Sequence, residues 1–289
     1  METIEVRHER IKAGGIELHV ARAGSGPAVI LLHGFPENWR SWQRQIGPLV
    51  RTGFSVWAPD LRGYNLSDIP AGREAYSLEH LVADVVALVR ATGEPRAHIV
   101  GHDWGGVIAW SFASEHPKLV DRLAILNAPH LDNYARKVRS LAQLWRSWYV
   151  LFFQLPWLPE RLIAANGYDA IRRTFRLGPV RAGAFSREEA AQYAEAMAKP
   201  GALTAALDYY RANAGRQMLR RAPMKPITSP TLVIWGERDP ALGTALLDDL
   251  EALVPGVRIH RIPDASHWVQ NEAPGEVNRV LIDFLTATP

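Results

Sequence analysis

The chain has 289 residues, 47% of them hydrophobic and 22% charged, no cysteine and a formal net charge of only +3. That composition is neither disordered nor fibrous, and without cysteine there can be no disulfide, thiolate nucleophile or thiolate metal site. The basic residues gather in Arg136–Arg146, Arg172–Arg181 and Arg211–Lys225, which read as solvated helix faces; with no basic stripe interleaved with aromatics, no nucleic-acid partner is expected. The length fits one α/β core with an inserted subdomain.

In chain order, Ile4–Ile11 and Ile16–Ala23 alternate apolar and polar residues around Ala13-Gly14-Gly15 and predict a β-hairpin at a solvent-facing sheet edge. Short continuous apolar runs follow at Ala28–Leu32, Phe54–Ala58, His98–Val100, Leu123–Leu126 and Thr231–Trp235. Each is bounded by Gly, Pro, Asp or Asn, as expected of strands buried on both faces of a parallel sheet. Helical patterns at Leu78–Thr92 and Val107–His116 lie between them, the order that builds an α/β sheet with right-handed crossovers.

From His130 to Ile227 the alternation stops. This stretch is arginine- and alanine-rich helical text broken by Pro156, Pro159, Pro179 and Pro200, so we expect a helical cap over residues 130–227 inserted into a core of residues 1–129 and 228–289. A strand over Val257–Ile262 and a helix over Pro274–Leu285 complete the core. No apolar run spans a bilayer and residues 1–10 hold no signal-like apolar region, so a cytoplasmic protein without a membrane partner is expected.

The chemistry concentrates at Gly101-His102-Asp103-Trp104-Gly105-Gly106, where a strand runs into a helix through a tight turn. This has the form of a nucleophile elbow with Asp103 in the position that serine enzymes give to serine; the bland alternative is an aspartate capping a helix. A second turn, His33-Gly34-Phe35-Pro36, follows the first buried strand. In such an architecture the two turns each lend a backbone N–H to an oxyanion hole, here those of Phe35 and Trp104.

With HGFP, DLRGY (Asp60–Tyr64), GHDWGG, LNAPH, WGERD and ASHW spread over nearly its whole length, the chain resembles the α/β-hydrolase superfamily, and within it the soluble epoxide hydrolases. The resemblance implies an α/β-hydrolase fold with a mostly parallel eight-stranded sheet, helices on both faces and an inserted cap. It also implies a triad in the order nucleophile, acid, base. Trp235-Gly236-Glu237-Arg238-Asp239 then offers Asp239 as the acid, with Glu237 as its rival, and Asp264-Ala265-Ser266-His267-Trp268 offers His267 as the base. Of the ten histidines, His8, His19, His80, His98, His116 and His260 read as structural or surface residues, His33 and His102 as braces of the two turns, and His130 as the opening of the cap.

A carboxylate nucleophile is ionised at neutral pH and forms an alkyl ester by displacement at saturated carbon, leaving the histidine to activate water for ester hydrolysis. An epoxide oxygen must then be protonated, and by the resemblance that role falls to Tyr149 and Tyr210. Tyr209 competes for the second position, Tyr168 and Tyr193 are weaker, and aromatic packing is the plain alternative for all of them. A haloalkane dehalogenase is the rival enzyme. Against it, Phe35 stands where many dehalogenases carry Asn, and Trp104 stands where fluoroacetate dehalogenases place arginine. A homologue that only binds ligand is the alternative outside catalysis. Trp39, Phe152 and Trp268 are candidates for lining the substrate pocket, with Trp145 and Phe153 either lining or core. The expected partners are a small apolar epoxide and water, with no metal or organic cofactor; a homodimer is left open.

Overall fold

The computed structural model describes residues 4–138, 140–213 and 222–287; residues 214–221, which fall in the third basic run and the expected cap, lie outside the described residues. Strands β1 (Arg7–Ala13) and β2 (Ile16–Ala23) pair antiparallel. Gly14 and Gly15 join them with φ of 54° and 86°, the left-handed pair that a two-residue hairpin turn requires. The hairpin begins at Arg7 instead of Ile4 because the β1–β2 ladder ends at the Arg7–Arg22 pair; Ile4 and Val6 pack beside the core.

The sheet continues with β3 (Ala28–Leu32), β4 (Ser55–Pro59), β5 (Ala97–His102), β6 (Val120–Leu126), β7 (Thr231–Gly236) and β8 (Arg258–Ile262). Its eight strands lie in the order β1-β2-β4-β3-β5-β6-β7-β8, and every pair beyond β2 and β4 is parallel. The chain leaves β3 toward β4 on one side and returns to β5 on the other, so the order reverses between β3 and β5. A crevice opens at such a reversal, at the carboxyl ends of the strands. Register brings those ends level: Leu32 pairs with Gly101, His102 with Leu126, and Leu126 with Ile234.

Strand side chains alternate between faces, and the central strands divide accordingly. Ile30, Leu32, Ile99, Leu123, Ile125, Val233 and Trp235 belong to one apolar layer, together with α2 (Leu78–Ala91) and α3 (Trp104–Glu115). Val29, Leu31, Val100, Ala124, Leu126, Leu232 and Ile234 belong to the other, which is covered by α1 (Gln43–Arg51) and the carboxy-terminal helix (Pro274–Thr286).

Between β6 and β7, the described residues form α4 (Leu131–Lys137), α5 (Leu141–Arg146), α6 (Trp148–Phe152), α7 (Leu158–Leu177, broken at Ala165–Tyr168), α8 (Arg187–Met197) and α9 (Ala202–Asn213). Ser186 and Glu189 cap α8 reciprocally, which satisfies two of the amides that a helix start leaves open. Phe175 stacks on Tyr193 at 4.3 Å and meets Trp268 of the core at 5.4 Å, so aromatic packing fastens the insertion to the sheet.

One basic residue departs from the expected solvated face. Arg211 is buried, because its guanidinium binds Glu160 at 2.6 and 3.0 Å and donates to the carbonyls of Phe153 and Leu155 at 2.8 and 2.9 Å. It anchors the end of the α6 segment to α9. Breaking a buried pair by removing one partner leaves an uncompensated charge, so Arg211→Met should lower the unfolding free energy by about 3 kcal/mol in urea titrations. Arg211→Lys, which keeps the charge but loses the planar fork, should recover only part of that loss.

Candidate active site

Asp103 closes β5 and opens α3 at φ 50° and ψ −121°, a conformation that costs free energy for a residue with a side chain. The neighbouring backbones leave no alternative. A Cβ on Gly105 would collide with the carbonyls of Leu32 and His33, and one on Gly34 would collide with the Asp103 side chain. The two glycine-bearing turns are therefore pressed together, and the Phe35 amide donates to Asp103 Oδ1 at 2.8 Å. The Trp104 amide also bonds the carboxyl; as the first residue of α3 it adds the favourable end of the helix dipole.

His267 sits in the loop after β8. Its Nδ1 lies 2.8 Å from Asp239 Oδ2, while Nε2 lies 3.7 Å from Asp103 Oδ2. The first contact is a hydrogen bond and the second is too long for one. Asp239 is held by further donors: Asn127 Nδ2 at 2.8 Å on the oxygen facing His267, and the amides of Ala241 and Leu242 at 2.8 and 2.9 Å on the other. Glu237, the competing acid, points instead to an exposed ion pair with Arg261 at 3.2 Å.

The titration behaviour follows from this wiring. Burial pushes the Asp103 carboxyl above its ordinary range, against the opposing pull of His267, His102 and the Phe35 and Trp104 amides. Burial likewise opposes the charge on Asp239, but His267, Leu242 and Asn127 outweigh it and hold that carboxyl below its usual range. For His267 burial disfavours the cation, yet the charges of Asp239, Asp103 and Glu37 and the bond to Asp239 lift it to about 9.

Tyr149 and Tyr210 both face this centre. Their rings stand 5.9 Å apart, and both hydroxyls are pushed well above their ordinary value, first by burial and in part by the charge on Asp103. Tyr210 also shares a side-chain hydrogen bond with Trp104. Tyr209 points elsewhere: it is fully buried and donates to the Arg62 carbonyl at 2.7 Å, as one residue's step around a helix requires. Tyr193 is stacked in the core and Tyr168 lies in the break of α7.

Of the aromatics expected to line the pocket, Trp268 packs edge-on to His267 at 5.1 Å, and Phe152 contacts Phe153, whose ring meets Phe35 and Tyr210. Trp39 is a correction. Its ring packs against His8 and under Arg40, and it lines a separate cleft of about 350 Å³ with Asn65, Gln192 and Lys199. Its place is fixed by its own amide, which donates to Asp60 at 3.0 Å. Trp145 neither lines nor fills the core: it is 82% exposed.

Two residues of the site were not singled out from sequence. Asn127, at φ 38°, binds the main chain of Gly236 through both side-chain atoms and reaches Asp239 with the same amide nitrogen. Glu37 is fully buried and accepts from His102 Nδ1 at 2.8 Å, Ser41 Oγ at 2.6 Å and the Gly34 amide at 2.9 Å. Burial opposes its charge, but His102 and these donors hold it at about 2. His102 Nε2 in turn meets the His267 carbonyl at 2.9 Å. The pair ties the His267 loop to the Phe35 turn. Their positions beside HGFP and inside LNAPH were the available signals.

A model of the alpha/beta hydrolase fold matches residues 27–274. The chain is 38% identical over 287 residues to epoxide hydrolase 3 of Xenopus tropicalis, covering 96% of this chain and 76% of that protein. It is also 38% identical over 284 residues to the AB hydrolase superfamily protein YfhM of Bacillus subtilis, covering 97% and 98%. Among solved structures, the epoxide hydrolase of Bacillus megaterium in complex with an inhibitor superposes with a TM-score of 0.90 at 31% identity, over 96% of this chain and 100% of that one. The chain belongs to the α/β-hydrolase superfamily and, within it, to the epoxide hydrolase family.

Proposed function

We propose that this protein hydrolyses epoxides to vicinal diols through an ester on Asp103. The observation that carries the reading is a carboxylate, where a hydroxyl would serve ordinary ester hydrolysis, facing two protonated tyrosines and a His267–Asp239 pair. Residues 130–227 act as the lid over a core of residues 1–129 and 228–289, and the lid supplies both tyrosines.

In the first step an Asp103 oxygen attacks an epoxide carbon, the ring C–O bond breaks, and Tyr149 or Tyr210 gives its proton to the departing oxygen. An alkoxide is a stronger base than a phenolate, so a tyrosine with a raised pKa still serves as the acid. Asp103 Oδ1 stays with the Phe35 and Trp104 amides and becomes the ester carbonyl oxygen. The 3.7 Å gap between His267 Nε2 and the carboxyl leaves the imidazole to act through water. In the second step His267 takes a proton from that water, hydroxide adds to the ester carbon, and the two amides hold the oxyanion. Collapse releases the diol oxygen, which receives the proton from His267. The new carboxyl proton restores the tyrosine, so the sum is epoxide plus water to diol.

The same charges time the base. The carboxylate of Asp103 is one of the influences that raise His267 to about 9, and esterification cancels that charge. The imidazole is therefore lowered from its free-enzyme value when a base is needed.

Three measurements check this reading. Asp103→Asn should abolish diol formation from styrene oxide, and one turnover in heavy-oxygen water should put the label into Asp103 before the diol; a labelled first-turnover diol would remove the ester. Tyr149→Phe with Tyr210→Phe should lower the alkylation rate by about 10²–10⁴, and halide release from bromoalkanes without diol from any epoxide would favour dehalogenation. In single-turnover kinetics the ester-hydrolysis rate should rise with pH, because neutral His267 is the active form, and level off above an apparent pKa lower than the free enzyme's value of about 9. A rate that falls as pH rises through this range contradicts the assignment of the base.

A further inference from the structure

Among the described residues, six of the ten exposed large apolar side chains fall within 14 positions of the insertion: Leu144, Trp145, Trp148, Leu151, Leu155 and Trp157. All the exposed tryptophans are there, at 82%, 60% and 62%. Singly scattered apolar residues on a surface need no explanation, but a contiguous group does.

The group is one face of a nearly continuous helical run. Only Ser147 separates α5 from α6, and Leu144, Trp148, Leu151 and Leu155 recur at spacings of four, three and four, which places them on one side. The opposite side is anchored inward. Gln143 donates to the Ala241 carbonyl at 2.9 Å, Ser147 is buried, and Phe153 and Tyr149 pack toward the candidate site.

The stretch of sequence that carries this face is mainly basic. From residue 144 to residue 181 there are six arginines against two acids, a net +4 in a chain whose formal total is +3. Glu160 is committed to Arg211, and Asp169 to Arg172 and Arg173. Arg181 pairs with Asp264 and Arg146 is turned inward to the Asp239 carbonyl at 2.7 Å; among the described residues, Arg161 and Arg176 have no carboxylate within ion-pair distance, and Arg161 lies beside the Trp157 ring.

We infer that this face is an interfacial docking surface for an anionic lipid membrane, with Trp145, Trp148 and Leu151 entering the headgroup boundary and the arginines meeting lipid phosphates. Tryptophan and arginine around an apolar helix face are the residues that settle at such a boundary, and unpaired cations are drawn to it electrostatically. A second copy of the chain fits less well, since a two-fold contact through this face would set its arginines against their own images. The inference departs from the expectation of no membrane partner: no helix among the described residues is long and apolar enough to cross a membrane, but a surface helix need not cross. It rests on exposure and charge and stands whichever substrate the site takes.

The test is flotation of the whole protein with vesicles of phosphatidylcholine containing roughly 30% phosphatidylglycerol. The unmodified protein should float, tryptophan emission should shift to the blue, and both effects should weaken with salt and with phosphatidylcholine alone. Trp145→Ser/Trp148→Ser/Leu151→Ser should reduce the bound fraction about tenfold with circular dichroism and turnover of a water-soluble epoxide unchanged, and Arg161→Gln/Arg176→Gln should remove the preference for anionic lipid. Failure of the unmodified protein to float overturns the inference, as does equal binding by the triple variant. Concentration-dependent dimers that the triple substitution abolishes, without vesicle binding, would assign the face to a second copy.

Discussion

The structure turns on one carboxylate held where two pieces of backbone nearly touch. Asp103 adopts a positive φ because β5 must pass into α3 within a single residue, and the Phe35 turn closes over it because Gly34 and Gly105 carry no side chains to keep the chains apart. The strain is local and the compensation is electrostatic: two amides point at the carboxyl from separate turns. Donors fixed in this way need no reorganisation when an oxygen bearing negative charge appears, which is the largest part of what such sites contribute.

Around that carboxylate the protein buries more charge than one catalytic cycle uses. Asp239 and Glu37 are both inside, and each is held ionised by a histidine partner and several further donors. A buried carboxylate is tolerable only when its lone pairs are satisfied, and here the donors come from different elements. Glu37 gathers Gly34, Ser41, His102 and Gln270; Asp239 gathers His267, Asn127 and the amides of Ala241 and Leu242. Satisfying the charges therefore fixes the relative positions of the strand ends, so the polar network that raises His267 also fixes where it stands beside Asp103.

What sequence alone revealed follows from the range of each interaction. Strands and turns with local signals, such as the Gly14-Gly15 hairpin and the glycines around Asp103, were readable because the residues that cause them are adjacent. Asp239 was separable from Glu237 only by resemblance, and the deciding contacts span the fold, through Asn127 and His267. Arg211 looked like a surface cation because its partner Glu160 is 51 positions away, and Trp39 looked like a pocket residue because the tie of its amide to Asp60 is not a local signal. Glu37 is the sharpest example: an acid beside a glycine turn reads as exposed until the structure brings His102 and Gln270 to it.

The α5–α6 run of the insertion presents two different faces. Toward the sheet it turns Tyr149, whose ring meets Tyr210 of α9, and burial together with the neighbouring Asp103 charge pushes both phenols further above their ordinary value. Toward the outside it carries apolar residues that no neighbouring element among the described residues covers. A polar outer face would have sufficed for closure, since Gln143, Gln154 and Arg211 already fasten the run to the rest of the chain. The outward tryptophans therefore lie outside the needs of folding and of the site beneath them, and a function for them has to be sought in what the lid meets beyond the protein.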